Sequence, residues 1–144
     1  MNKIMIILFI GLLNVSFSEK ETYSLKINIS QLRNSKGDVI VYLYNKEGTI
    51  PDKKFNKYYK KRTSAIDLNS STVIFSNLPK GNYAVCIVHD ENNNGELDKG
   101  FILPKEGIGF SKYESINLRN RPNFLKASFN LDSDISVDVK TIYM

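Results

Sequence analysis

The sequence predicts an all-β protein built as a single antiparallel β-sandwich of about seven strands. Several short segments alternate apolar and polar residues with the two-residue period of a half-buried strand. Turn-forming residues separate these segments, and no stretch has a convincing helical period. Of the 144 residues, 42% are apolar and 11% are aromatic, which is enough to bury a core and excludes the composition of a disordered chain.

Residues 1–18 are predicted to be a signal peptide, preceding one domain over residues 19–144. Lys3 comes before an apolar run over residues 4–13, and Ser16 and Ser18 are the small residues expected before a cut at Glu19. The run is too short to cross a bilayer of about 30 Å as a helix. No Cys follows it for lipid attachment. We expect a periplasmic or secreted protein with no transmembrane segment after cleavage, the alternative being an uncleaved anchor.

The first strands follow this region directly. Residues 23–32 place apolar side chains on one face only, which predicts a half-buried strand. After a turn at Gly37, residues 39–44 are apolar on both faces, which predicts a central strand covered from both sides. These two strands are expected to pair as a hairpin.

Two short strands are predicted at residues 64–68 and 72–75. A turn with Pro79 and Gly81 then leads into residues 83–89, which are again apolar on both faces and are expected beside residues 39–44. Cys86 lies in this strand and is expected to be a small buried hydrophobe. Because it is the one cysteine of the chain, an internal disulfide framework is excluded.

The C-terminal part begins with a long irregular segment, residues 104–123, of the kind that is usually functional or mobile. Residues 124–131 resume the alternation and are predicted to form a strand. A final strand is expected to place Ile135, Val137 and Val139 on one face.

Residues 53–62 carry many of the cations behind the net charge of +5, with Phe55, Tyr58 and Tyr59 interleaved. A loop of this composition could bind an acidic polysaccharide, a nucleic acid or an anionic membrane surface. Export argues against nucleic acid as a partner. The alternative is a solvated loop whose Phe55 and Tyr58 or Tyr59 fold back over the exposed face of the sheet.

Residues 90–98, which we call the cation loop, have the spacing of a calcium-binding loop. Oxygen-bearing side chains recur at every second position and are followed by Gly95, which permits a sharp bend. The predicted ligands are Asp90, Asn92, Asn94, the backbone oxygen of Glu96, and Asp98. Phe101 stands where an EF-hand has its bidentate Glu, and Glu106 is the nearest replacement, so we expect weak Ca²⁺ binding on the order of 10⁻⁴ M. The alternative is a turn rich in Asp and Asn without an ion.

His89, the one histidine, borders this loop and admits a catalytic interpretation. An envelope hydrolase could use it as a base with Glu91 or Glu106. Cys86 lies three residues earlier on the same strand, so the two side chains point to opposite faces and form no dyad. The simpler alternative is that His89 hydrogen-bonds a loop carbonyl at the end of the strand. With one His and one Cys, zinc is excluded.

Several motifs in combination resemble the DUF2141 family of small exported bacterial proteins. They are residues 32–37 and the following strand, 77–85, 89–98, 104–111 and 122–124. The resemblance implies an envelope or secreted location and an immunoglobulin-like or prealbumin-like sandwich, but no activity. The chain departs from the family pattern at residues 112–114, Lys-Tyr-Glu, where asparagines and small residues are usual.

We therefore expect a non-catalytic, monomeric β-sandwich that binds Ca²⁺ weakly and presents a surface to a ligand or partner. A carbohydrate or a cell-envelope protein suits such a surface, and no nucleic acid is expected. The two alternatives are the envelope hydrolase and a module that docks on anionic surface polymers through residues 53–62.

Overall fold

The structure, a computed structural model, describes residues 21–144, so the predicted signal peptide over residues 1–18 and its cleavage site lie outside the described residues. The described part contains eight strands, where about seven were expected, and one helical turn. The elements are β1 (Thr22–Ser30), β2 (Asp38–Tyr44), β3 (Lys60–Ala65), β4 (Ser71–Pro79), β5 (Gly81–Asp90), β6 (Gly107–Phe110), α1 (Phe124–Ala127), β7 (Phe129–Leu131) and β8 (Ile135–Lys140). They form two sheets in a sandwich-like arrangement, and the predicted all-β class is confirmed.

The smaller sheet has the strand order β4-β1-β8. β1 runs antiparallel to β4 but parallel to β8, with Ile27 opposite Val73 on one side and Val137 on the other. The prediction of a purely antiparallel sandwich was therefore wrong at this pair. β8 enters the sheet from β7 of the other sheet, so no tight hairpin constrains it to run against its neighbour.

The larger sheet has the order β3-β2-β5-β6, and β7 pairs with the first residues of β5. β2 lies beside β5, as predicted. The predicted hairpin between β1 and β2 was wrong, because residues 31–37 carry the chain from one sheet to the other. β1 pairs with β4 and β8 along its two edges, and β2 pairs with β3 and β5, so neither strand has an edge free for the other.

The main core lies between the two sheets. Alternate residues of β1, β2 and β5 point into it and are almost fully buried. Members contributed by these strands are Leu25, Ile27, Ile29, Val39, Val41, Leu43, Tyr83, Val85 and Ile87. The predicted alternation of β1 and the central positions of β2 and β5 are confirmed.

A second core covers the outer face of the larger sheet. The remaining side chains of β2 and β5 form its floor, and the loops around residues 50–55, 97 and 113–127 form its roof. Its most buried members from the strands are Ile40, Tyr42, Tyr44, Ala84, Cys86 and Val88. This cover explains why β2 and β5 are apolar on both faces.

β6 was missed, because residues 107–110 were assigned to the long irregular segment. A Cβ atom on Gly109 would lie 2.3 Å from the carbonyl oxygen of Lys140 and 2.9 Å from Ile87 Cγ1, so only glycine allows this close approach. Ile108 exchanges backbone hydrogen bonds of 3.0 and 2.8 Å with Ile142, just beyond β8. The C-terminal segment therefore connects the two sheets along one edge.

The strand predicted over residues 124–131 is in fact a helical turn followed by the short strand β7. The side chain of Asn123 accepts the backbone N–H of Lys126 at 2.9 Å and so caps the turn. The turn places Phe124 and Ala127 on one face, where both are buried in the second core. Phe124 and Ala127 are three residues apart, which is the spacing of one face of a helical turn. Only the alternation over residues 129–131 belongs to a strand.

Candidate functional site

The cation loop begins at Asp90, the last residue of β5, whose side chain is buried. One carboxylate oxygen of Asp90 accepts the backbone N–H of Asn94 at 3.1 Å, and the other accepts that of Gly95 at 2.7 Å. Gly95 has a φ of +79°, the left-handed conformation that the sharp bend requires. Asp90 therefore holds the loop closed through its backbone.

Asn92, Asn94 and Asp98 meet in this loop, as the spacing predicted. The side-chain amides of Asn92 and Asn94 donate to the two carboxylate oxygens of Asp98 at 2.8 and 2.7 Å. Their amide oxygens accept backbone N–H groups, from Asn94 at 3.1 Å and from Glu96 at 2.9 Å. All five predicted residues belong to one hydrogen-bonded turn.

Glu106, proposed from the sequence as the nearest additional carboxylate, does lie against the loop. It is buried, and its two oxygens accept the backbone N–H groups of Glu91 at 2.8 Å and Asp98 at 2.9 Å. Lys105 also donates its backbone N–H to the carbonyl of Asp98 at 2.9 Å. These bonds fasten the end of the loop to the segment that leads into β6.

The carboxylate and amide oxygens of this loop are the ligand atoms that Ca²⁺ prefers. In this structure they accept hydrogen bonds from N–H groups instead. Within residues 21–144, no three side chains of His, Cys, Asp or Glu are close enough to hold one ion. A cation could gather Asp98 and the amide oxygens of Asn92 and Asn94 only after both amides turned over. Within residues 21–144 the loop is therefore not arranged as a preformed cation site.

His89 is completely buried beside the loop, and both of its ring nitrogens are engaged. Nε2 lies 2.8 Å from the carbonyl oxygen of Lys36, and Nδ1 lies 2.6 Å from the hydroxyl of Tyr143. A carbonyl can only accept, so Nε2 carries the proton and Nδ1 accepts from Tyr143 when the ring is neutral. His89 therefore hydrogen-bonds a loop carbonyl at the end of the strand, which is the simpler role expected for it. Cys86 points to the opposite face of β5, into the second core, so the two side chains form no dyad.

The carboxylates considered as partners of His89 have other contacts. Arg33 donates to both oxygens of Glu91, through Nε at 3.1 Å and through Nη2, and Asn34 donates at 2.6 Å. The hydrogen bond from Arg33 is the main reason that the pKa of Glu91 is lowered, with burial acting in the opposite direction. Arg33 also donates to the carbonyl of Lys105 at 3.2 Å, so its guanidinium links Glu91 of the cation loop to the segment that follows the loop.

Residues 53–62 are not a loop throughout, because β3 begins at Lys60. The aromatic rings of Phe55 and Tyr58 pack on Tyr42, with centroids 4.8 and 5.4 Å away. The alternative in which these rings fold back over the sheet is thus confirmed for Phe55 and Tyr58. Burial raises the pKa of Tyr42 to about 12, so its phenol stays neutral.

A cleft opens on this face of the larger sheet, between residues 51–55 and the cation loop. Its basic compartment, of 380 Å³, is lined by Lys53, Lys54, Lys61 and Lys99, with Tyr42 and Phe55. Its apolar compartment, of 230 Å³, is lined by Tyr44, Cys86, Ile108 and Phe110 from the sheet and by Ile116 from the covering loop. Lys53, Phe55, Leu97 and Lys99 line both compartments, so the two are adjacent.

Asp52 stands at the edge of the apolar compartment with one oxygen unpaired. Its Oδ2 accepts the backbone N–H of Lys57 at 2.7 Å and the hydroxyl of Tyr44 at 3.2 Å. Its Oδ1 is buried and has no partner within the described residues. A polar atom of this kind usually has a partner, and because Oδ1 is inaccessible to solvent it is not an acceptor open to the cleft. Burial is the main reason that the pKa of Tyr44 is raised.

Sequence reasoning missed the cleft, because its lining comes from many separate segments of the chain. The available signal was the apolar outer face of β2 and β5, which required a cover. Leu97, the apolar residue inside the cation loop, belongs to that cover and packs against the second core.

A family model described as an uncharacterized protein conserved in bacteria, DUF2141, matches residues 27–139. The chain belongs to the DUF2141 family. The matched region runs from β1 to β8 and so contains the cation loop and most of the cleft. Searches of curated proteins and of solved structures found no match. The part of this DUF2141 chain that the structure describes contains no helix long and apolar enough to cross a membrane.

Proposed function

We propose that the protein is an exported, non-catalytic binding module whose cleft holds a small ligand. The observation that supports this most is that Gly95, Glu96 and Leu97 of the cation loop line the cleft, so the state of the loop sets the shape of the site. In this proposal the mature chain, residues 19–144, acts as a monomer in the periplasm or outside the cell. Its strands are arranged as in immunoglobulin-like or prealbumin-like sandwiches.

Ca²⁺ binds this loop weakly, through Asp90, Asn92, Asn94, Glu96 and Asp98. In support, the two side-chain amides that face Asp98 put N–H groups where a cation would compensate its charge. A half-turn of each amide exchanges nitrogen for oxygen in the same volume. The exchange gives up four hydrogen bonds, two from the amides to Asp98 and two from the backbone N–H groups of Asn94 and Glu96 to the amide oxygens. At about 0.5–1.5 kcal/mol each, this cost keeps the affinity low.

Thermal unfolding of residues 19–144 with Ca²⁺, with Mg²⁺ and with chelator tests the ion. At about 100 times its Kd, an ion that binds only the folded chain adds roughly 2.7 kcal/mol, a shift of several degrees. Asp98→Asn should abolish the calcium shift while leaving the two N–H bonds of Asp90 intact. The matched control is Asp67→Asn, on an exposed turn. A calcium shift that persists in Asp98→Asn, or no shift at all, rules out the site.

The ligand has an apolar body and an acidic group. The apolar compartment, with Cys86, Ile108 and Phe110 in its lining, suits the body. The lysines of the basic compartment suit the acidic group. Charge and polarity thus divide along the cleft as they would along such a molecule.

The dye 1-anilinonaphthalene-8-sulfonate, which has an aromatic body and a sulfonate, is a suitable probe of the cleft. We expect its fluorescence to rise with the folded protein and to fall on addition of laurate. Leu97→Asn and Lys99→Gln should weaken dye binding, whereas Lys26→Gln, on the outer face of the smaller sheet, should not. Dye binding that Leu97→Asn and Lys99→Gln leave unchanged would place the dye elsewhere and refute the cleft.

A second candidate function is docking on anionic surface polymers. It is favoured by Lys53, Lys54, Lys61 and Lys99, none of which lies within ion-pair distance of a carboxylate among residues 21–144. Retention on heparin that decreases with salt and with Lys53→Gln and Lys54→Gln would support it. The hydrolase alternative has less support, because both ring nitrogens of His89 are bonded inside the protein.

A further inference from the structure

The segment that follows the cation loop ends in three consecutive large apolar side chains exposed to solvent. Phe101, Ile102 and Leu103 have exposed fractions of 103%, 84% and 51%. We call these three residues the apolar tip. Single exposed apolar residues are common on protein surfaces, but a contiguous run of this kind is rare without a binding role. Neither the cation loop nor the cleft uses these side chains.

The backbone holds the apolar tip away from the protein body. Gly100 donates its N–H to the carbonyl of Leu103 at 2.7 Å, and Lys99 and Pro104 face each other in an isolated β-bridge. The next bond inward is the one from Lys105 to the carbonyl of Asp98. These contacts define a short hairpin that stands on the cation loop.

Lysines lie beside the base of this hairpin, together with the carboxylates of Glu96 and Asp98. Lys99 and Lys105 flank the tip in the sequence, and the ammonium of Lys99 donates to the carbonyl of Lys53 at 3.3 Å. That contact brings the basic compartment, with Lys54 and Lys61, next to the hairpin. The surface therefore has an apolar projection with several lysines beside its base.

We propose that the apolar tip inserts into the interfacial region of an anionic lipid bilayer while the surrounding lysines bind the headgroups. The two kinds of residue match the two layers of such a surface, which is negatively charged outside and apolar beneath. An acidic polysaccharide would pair with the lysines but would leave the apolar tip in water. The bilayer is the partner that accounts for both features, and the inference is independent of the cleft ligand.

The chain has no Trp, so Phe101→Trp provides a single fluorescent reporter at the tip. The experiment uses residues 19–144, because the described residues 21–144 contain both sheets and both cores. With vesicles of phosphatidylcholine and phosphatidylglycerol, we expect the emission of Phe101→Trp to shift to the blue. Neither vesicles of phosphatidylcholine alone nor dextran sulfate should cause this shift. The matched control is Ile74→Trp, half-exposed on the smaller sheet, whose emission should stay unchanged.

Vesicle sedimentation separates insertion from simple charge attraction. Replacing the apolar tip residues by Phe101→Ser and Ile102→Ser should weaken binding to anionic vesicles by about tenfold or more. Lys105→Gln should weaken it about fivefold and Lys26→Gln much less. The proposal is overturned if Phe101→Trp shows no blue shift, or if the double Ser variant binds as tightly as the parent. A blue shift with dextran sulfate would also overturn it, because the tip would then respond to a polymer.

Discussion

Gly37 passes so close to the end of β5 that a Cβ atom on it would lie 1.9 Å from the carbonyl oxygen of Asp90. Its φ of +66° is also one that other residues rarely adopt. The turn after β1 is therefore packed directly against the first residue of the cation loop, and its sequence is restricted by that contact.

Gly37→Ala should lower the free energy of unfolding by roughly 3 kcal/mol or more, because backbone strain and a clash with a fixed carbonyl add together. Gly48→Ala is the matched control, since Gly48 has a φ of +78° but nothing within 4 Å of the added carbon. It should cost only about 1 kcal/mol. Urea unfolding measures both, and equal costs would show that the contact with Asp90 is unimportant.

Ser111→Ala should destabilise the protein by roughly 2–6 kcal/mol. The buried hydroxyl of Ser111 donates to the carbonyl of Ala127 at 2.7 Å and accepts the N–H of Val85 at 3.0 Å. Without it, two buried backbone groups lose a partner, at a cost of about 1–3 kcal/mol each. Ser115→Ala, at an exposed position, should change stability by less than about 0.5 kcal/mol. A neutral Ser111→Ala in chemical denaturation would contradict this account.

Glu91 should make the stability depend on pH in the acid range. Because its pKa is lowered in the folded protein, its contribution is present above the unfolded pKa, near 4.5, and is lost as the pH falls further. Glu91→Gln should therefore flatten the decline in stability below about pH 4.5. Glu114→Gln, which removes the exposed partner of Lys140, serves as control. Parallel pH profiles for the parent and Glu91→Gln in urea titrations would refute the role of Arg33.

Tyr143→Phe should cost about 1–3 kcal/mol, because it leaves Nδ1 of the buried His89 without its donor. In a His89→Leu background the same substitution should cost much less, and the difference in a double-mutant cycle measures the coupling. Tyr58→Phe, whose hydroxyl has no hydrogen bond within residues 21–144, should be nearly neutral. Additive costs would mean that His89 and Tyr143 do not interact.

The strands that could be predicted are those with a strong local pattern. β1, β2 and β5 were found from alternation or from continuous apolar runs, and the pairing of β2 with β5 followed from their both-face burial. β6 could not be found, because Gly107 and Gly109 resemble loop residues until Lys140 and Ile87 are known to lie beside them. The same limit applied to residues 124–127, where Asn123 selects a helical turn over a strand.

The candidate site was predictable in part. The spacing of Asp90, Asn92, Asn94 and Asp98 predicted a loop that gathers these side chains, and it does so whether or not an ion binds. The contact of Glu106 with this loop was also anticipated from its position. The unpaired oxygen of Asp52 gave no signal in the sequence, because its isolation depends on what surrounds it.

The sequence by itself determined the all-β class, the two strands buried on both faces and the place of the cation loop. These features arise from side-chain periodicity and turn chemistry within a few residues, which are properties of the local chain. Only the tertiary structure decided that β1 lies in the other sheet from β2, that β8 runs parallel to β1, and that many separate segments meet around a cleft. Strand partners and cavities depend on contacts between residues far apart in sequence, and many pairings bury similar strands equally well.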